Sequence, residues 1–172
     1  MKTYFYIASS INGCIADKDG NTPWSDEDNA SFMAFCGKIG AVVMGRKTYE
    51  EYLTLPSSDW PNPEHTTVIL TSRPSLPPNG FKIILTPDGP QGAVSVMSKL
   101  GKKEIVVAGG NQTWTSFMKE GLVDEIFLDI EPLALGNGKA LFQGADFNIQ
   151  LEFLSSKPLS PQTLQLHYLV KK

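Results

Sequence analysis

The sequence predicts an α/β protein of three layers: a mostly parallel central sheet with helices on both faces and an antiparallel hairpin at its C-terminal end. Three observations carry this reading. Short β-branched runs alternate with amphipathic helical patterns through the first two thirds of the chain. Two of those runs, ending at Gly45 and at Gly109 and Gly110, pass through glycine straight into a helix. Beyond Val123 only strand patterns remain, so the order β-α-β-α-β-β-α-β-α ends in strands alone, as a wound parallel sheet with an antiparallel finish requires.

Taken in order, Lys2 to Ala8 is aromatic-rich, with Tyr4, Phe5 and Tyr6, and suits a strand in mid-sheet. Ser9 to Trp24 is a long loop hinged at Gly13 and Gly20, and a loop of that length inside a compact domain usually has a function. Ser25 caps a helix whose first turn holds Asp26, Glu27 and Asp28, and whose apolar face is Phe32, Phe35 and Ile39. Asp28, three residues beyond the cap, is also placed to close a capping box. Ala41 to Met44 is a strand and Arg46 to about Leu53 a helix. Pro56 to Glu64, with Trp60, reads as a surface loop. Thr67 to Thr71 and Phe81 to Leu85 are strands, and Gln91 to Leu100 is a helix with Val94, Met97 and Leu100 inward. Ile105 to Val107 leads through Ala108, Gly109 and Gly110 into a helix presenting Trp114, Phe117 and Met118 on one face. Val123 to Glu131 alternates Ile126, Leu128 and Ile130 with Glu125, Phe127 and Asp129. Pro132 to Gly138 is a loop, and Ile149 to Leu154 and Thr163 to Val170 form the edge hairpin.

Composition narrows the class. At 172 residues, 41% hydrophobic and 19% charged, the chain is sized for one folded domain spanning residues 1–172. A net charge of −3 without a basic block argues against nucleic acid as a partner. No apolar run is long enough to span a bilayer, and the N-terminus is strand-like, so a cytoplasmic protein is expected. Cys14 and Cys36 share no C-x-x-C spacing and read as reduced thiols. His65 and His167 lie far apart outside any ligand motif, so no metal is expected.

The chemistry points to the two glycine corners. After Gly109 and Gly110, the free N–H groups of Asn111, Gln112 and Thr113 face whatever approaches, an arrangement that suits a phosphate, although a diglycine alone also makes a tight βα turn. After Gly45 the same arrangement adds the charges of Arg46 and Lys47 and the hydroxyl of Thr48. Two such strand ends could together hold a dinucleotide, yet neither is a G-x-G-x-x-G fingerprint or a Walker A loop. NADP is favoured over NAD, because cations cluster at the corners and no acidic residue is placed to take a ribose 2′-OH.

M-G-R-K-T-Y-E at Met44 to Glu50, T-S-R-P at Thr71 to Pro74, A-G-G at Ala108 to Gly110, and V-D-E-I-F-L-D-I-E-P-L-A-L-G-N-G-K-A-L-F at Val123 to Phe142 resemble the dihydrofolate reductase-like family. The opening S-S-I-N-G-C-I-A-D is most similar to the riboflavin-biosynthesis reductase branch, the RibD C-terminal domain, here without an accompanying deaminase zinc motif. The resemblance implies that NADPH is held by Ala8, Ile15, Gly45, Arg46, Lys47, Thr48, Ser72, Arg73, Gly109, Gly110, Asn111, Gln112 and Thr113. It also implies that Ser9 to Trp24 closes over the nicotinamide, and that Trp24, Asp28 and Phe32 meet the substrate with Asp28 as the catalytic acid. The implied reaction is hydride transfer to a small heterocyclic or ribosylaminopyrimidine substrate, as in 5-amino-6-(5-phosphoribosylamino)uracil reductase. Dihydrofolate reductase and a non-catalytic NADPH-binding module are the alternatives. The riboflavin branch usually carries a basic residue in the helix before the second strand, where Lys38 is a displaced stand-in. Alternating apolar residues on the edge hairpin leave room for a homodimer.

Overall fold

The computed structural model describes residues 1–142 and 144–172. Strand β1 (Lys2–Ser10) lies inside an eight-stranded sheet ordered β5-β4-β3-β6-β1-β7-β10-β9. The others are β3 (Val42–Gly45), β4 (Thr67–Leu70), β5 (Ile83–Thr86), β6 (Glu104–Val107), β7 (Glu125–Glu131), β9 (Leu151–Pro158) and β10 (Leu164–Val170). From β5 to β7 every pairing is parallel, and β10 then pairs antiparallel with both β7 and β9. The C-terminal ends of β4, β3, β6, β1 and β7 therefore open on one edge of the sheet, where ligands of open α/β sheets bind. A second, two-stranded sheet pairs β2 (Cys14–Ala16) with β8 (Lys139–Ala140).

Helices α1 (Asp26–Ile39) and α2 (Arg46–Tyr52) cover one face, and α3 (Gly89–Lys99) and α4 (Asn111–Lys119) the other. Strand alternation decides which residue meets which layer. Phe5, Ile7, Val43, Ile105 and Val107 pack with Ala93, Met97, Trp114 and Phe117 from α3 and α4. Tyr6, Val42, Met44, Ile69 and Val106 pack with Cys36 of α1 and Tyr49 of α2. β3, β4 and β6 have four residues each, too few for their ladders to be decisive, and burying each large apolar side chain contributes about 1.5–3 kcal/mol.

Three expectations need correction. The segment around Trp60 is not a plain surface loop: Trp60 is 3% exposed, stacked on Phe81 at 5.2 Å and edge-on to Tyr49 and Tyr52. Its proline-rich flanks hide an aromatic plug that closes the core beside α2. The long loop after β1 also contains structure, since β1 continues to Ser10 and β2 follows a turn at Gly13. Finally, β5 starts at Ile83 and not at Phe81, leaving Phe81 free to turn onto Trp60.

Candidate active site

The two glycine corners are neighbours. β3 and β6 lie side by side, and where they end the Gly45 N–H donates to the Gly109 carbonyl at 2.8 Å. Gly109 has φ +124°, a backbone open to glycine, and the peptide joining it to Gly110 is cis. A Cβ on Gly45 would collide with Thr113 Oγ1, and one on Gly110 would come within 3.3 Å of Thr48 Oγ1. Each corner's threonine thus fills the space that the other corner's missing side chain leaves. The Trp114 indole N–H donates to the Val107 carbonyl at 2.8 Å and pins α4 to the end of β6. Neither α2 nor α4 has an N-cap side chain bonded to its first turn, whereas α1 does; the Gln112 N–H, expected free, is instead taken by Asn111 Oδ1 at 2.8 Å.

Beside the Gly45 corner, Arg46 and Arg73 converge on one carboxylate. Arg46 Nη1 donates to Glu50 Oε2 at 2.5 Å, one helical turn on, and Arg73 Nη1 donates to Glu50 Oε1 at 3.1 Å. Glu50, which the sequence reading did not place at this corner, is brought between the two guanidinium groups by the i,i+4 reach of α2. Two cations against one anion still leave a positive corner. The Arg73 N–H donates to Thr71 Oγ1 at 3.0 Å, which shapes the turn after β4. Ser72, Arg73, Lys47 and Gln112 are exposed, while Thr113 is buried.

On the face covered by α1, three rows cross the strands. Register places Tyr6 beside Phe127 and His167, Ala8 beside Asp129 and Gln165, and Ser10 beside Glu131. The first row is aromatic: Phe127 stacks on His167 at 4.0 Å, and Tyr6 lies parallel to Phe127 at 6.2 Å. The next two rows are acidic and buried, with Asp129 at 0%, Glu131 at 2% and Asp28, reaching down from α1, at 5% exposure. Gln165 Nε2 donates to Asp129 Oδ1 at 2.8 Å and to Tyr6 Oη at 2.9 Å, and Tyr6 Oη donates to Ser31 Oγ at 2.7 Å. Glu131 Oε1 accepts from Ser25 Oγ at 2.8 Å and Thr163 Oγ1 at 3.3 Å. Burial, then the hydrogen-bonded Asp129 carboxyl, then the charges of Asp129 and Glu131 push the Asp28 carboxyl up to about 8. Burial also raises Asp129, against the donors that favour its anion.

Ser25 caps α1 as expected, accepting from the Asp28 N–H at 3.2 Å. The reciprocal half of the capping box does not form. The Asp28 side chain turns inward, and its Oδ1 is buried without a partner among the described residues, so capping does not account for it. Asp26 and Glu27 stay exposed. One turn on, half-buried Phe32 packs on Tyr6 at 5.6 Å, and half-buried Trp24 directly precedes the cap. Lys38 is exposed in the last turn of α1, ten residues beyond Asp28 and so about 15 Å along the helix; it is not brought to the site.

The segment after β1 is tied to the loop beyond β7. Asn12 Nδ2 donates to the Leu135 carbonyl at 2.8 Å and Asn12 Oδ1 accepts from the Leu135 N–H at 3.0 Å. Ile11 N–H donates to the Leu133 carbonyl at 2.9 Å. Ile15 packs against the core cluster, and Cys14 is a buried free thiol. A Cβ on Gly138 would lie 2.6 Å from Cys14 Sγ, so glycine there lets β8 close on β2. A cavity of about 400 Å³ near the C-terminus, lined by Met118, Phe147, Ile149 and Val170, lies away from these groups.

Sequence reasoning missed Asp129, Glu131, Gln165 and Glu50. The one signal for the first two was Phe127, an aromatic in the same alternation as Asp129 and Glu131, which marks that face as partly apolar without requiring that a helix cover it.

A family model described as the RibD C-terminal domain matches residues 3–165. The uncharacterised protein YwjB of Bacillus subtilis (strain 168) is 31% identical over 175 residues, covering 97% of each chain. The putative riboflavin biosynthesis protein of Shewanella sp. PV-4 superposes with a TM-score of 0.83 at 26% identity, over the full length of both chains. Dihydrofolate reductase from Enterococcus faecalis, in complex with NADP(H), shares the fold, with a TM-score of 0.69 at 19% identity over 99% of this chain and 97% of that one. No helix among the described residues is long and apolar enough to cross a membrane.

Proposed function

The chain belongs to the RibD C-terminal domain family, and on that premise we propose that it is a cytoplasmic NADPH-dependent reductase acting as one domain. Its substrate class is a small heterocycle of the ribosylaminopyrimidine type, related to that of 5-amino-6-(5-phosphoribosylamino)uracil reductase. One observation carries the reading: both glycine corners open on the same sheet edge, joined by the 2.8 Å Gly45 to Gly109 hydrogen bond, with only β1 between β6 and the strand β7 that carries the buried Asp129 under Asp28 of α1.

The residues present fit the cofactor. Glycine at Gly45 and Gly110 lets the two corners close on each other, with Thr113 and Thr48 seated where their Cβ atoms would be, and the paired corners present helix N-termini without a capping side chain to phosphates. Arg46 and Arg73, with Ser72, form the cationic pair suited to a 2′-phosphate, and Lys47, Thr48, Asn111, Gln112 and Thr113 border the cradle. Ala8 and Ile15 flank the approach from β1 and β2 toward the nicotinamide end. Reduced nicotinamide, when bound, supplies hydride. What this chain adds is orientation by the two corners, exclusion of water by the segment after β1, and a proton held at Asp28 beside Trp24 and Phe32. A homodimer through the β9 edge belongs to the same proposal and is supported by the exposed Leu151, Phe153 and Leu154.

NADPH consumption with a panel of ribosylaminopyrimidines and pterins, dihydrofolate among them, tests this directly. Turnover is expected with a ribosylaminopyrimidine. Turnover with dihydrofolate alone would reassign the substrate, and tight NADPH binding with no turnover on any member would instead make the chain a binding module.

A further inference from the structure

Helix α1 crosses β7 with Ser25 bonded to Glu131 and Ser31 bonded to Tyr6, so Asp28, midway between them, lies over the intervening row that holds Asp129, and both carboxyls are buried there. Asp129 Oδ1 is taken by the Gln165 amide at 2.8 Å. The oxygens left over, Asp28 Oδ1 and Asp129 Oδ2, are buried and have no donor among the described residues. An ionised carboxylate only accepts hydrogen bonds, so two ionised groups facing each other here would leave both oxygens unmatched and add like-charge repulsion. A single proton between them removes both penalties.

We infer that Asp28 and Asp129 form a carboxyl pair that shares one proton, carried on Asp28 and directed at the Asp129 anion, so that Asp129 is the positioning residue for the proton donor. The asymmetry follows from the neighbours. Asp129 receives the Gln165 amide and the favourable charge of Lys157 on β9, while Asp28 faces Glu131 on β7 and is given no donor for its Oδ1. Among the described residues Tyr6 on β1 is the remaining titratable group at the pair, and its hydroxyl, raised by burial, stays protonated. The elevated affinity of Asp28 for its proton has the same causes.

Use of this proton in catalysis rests on the reductase reading; the pair itself does not. Donation breaks the Asp28 O–H bond and forms an N–H bond at the nitrogen of a substrate C=N group, whose carbon is the atom that takes the hydride. Both carboxyls are then ionised, a state that burial disfavours, and a proton taken back from water restores the pair.

The test is a carboxyl-carbon NMR titration of the full chain labelled at aspartate, with no cofactor or substrate added. One aspartate is expected to titrate above pH 7, and Asp28→Asn removes that step. In Asp129→Asn the Asp28 step falls by at least one pH unit, a tenfold or greater loss of proton affinity. Asp129→Ser, smaller and still able to accept from Gln165, gives the same result if the asparagine variant does not fold. Wild-type protein whose aspartates all titrate near pH 4, or an Asp28 step that stays in place in both Asp129 variants, would overturn the pair. Absence of NADPH binding would remove the reductase reading and leave this titration as it stands.

Discussion

Asp28→Asn is expected to gain stability and lose turnover in the same protein. In the folded chain Asp28 keeps its proton up to about pH 8, whereas an unfolded aspartate releases it near pH 4. Between those values the folded state binds more protons than the unfolded one, so the stability associated with this group falls as pH rises from about 4 to about 8. Asparagine has no proton to lose, and its amide can donate to Asp129 Oδ2. Chemical denaturation should show Asp28→Asn more stable than wild type by ~1–3 kcal/mol at pH 8 and nearly equal to it at pH 4. Turnover should move the other way, falling ~10²–10⁴-fold, the usual contribution of a positioned general acid. NADPH affinity should stay within about threefold, since Asp28 does not border the glycine cradle. A variant that is less stable than wild type at pH 8 would mean that Asp28 is an ordinary ionised carboxylate.

The second large effect belongs to the cationic corner. Replacing Arg46 or Arg73 by alanine should weaken NADPH binding ~5–10-fold each, less than a fully buried charge-assisted hydrogen bond is worth, because Arg73 is exposed and Glu50 already engages both groups. The double variant should lose ~10–30-fold, less than the product of the two single losses, since removing one guanidinium leaves Glu50 to neutralise the other. NADH, which lacks the 2′-phosphate, should be affected less than about threefold, and the NADPH loss should shrink as salt rises. Titrations of both cofactors by nicotinamide fluorescence decide the matter. Equal losses for the two would remove both arginines from the phosphate role.

Much of this arrangement can be read along the chain, and the part that cannot has a physical reason. Strand, glycine and helix at Gly45 and Gly109 are local patterns, and a parallel sheet then carries their ends to one edge with no further information. Ser25 as a cap and the apolar face through Phe32 and Phe35 are equally local. Asp129, Glu131 and Gln165 are different: a strand's alternation separates two faces but does not say whether a helix covers the second one. Here α1 covers it, and residues that would be solvated on an open antiparallel sheet become a buried acidic cluster. Glu50 needed the turn after β4 to deliver Arg73 across from α2, and the pairing of β2 with β8 joins residues more than 120 positions apart. Trp60 was hidden by its proline neighbours, which signal a turn whether or not the side chain between them is buried.

A crystal structure grown with NADPH tests the central claim most directly. The account predicts the pyrophosphate between the Gly45 and Gly110 corners, the 2′-phosphate against Arg46 and Arg73, and the nicotinamide ring turned toward Asp28. Phosphates bound away from both glycine corners, or a nicotinamide on the face covered by α3 and α4, would contradict it.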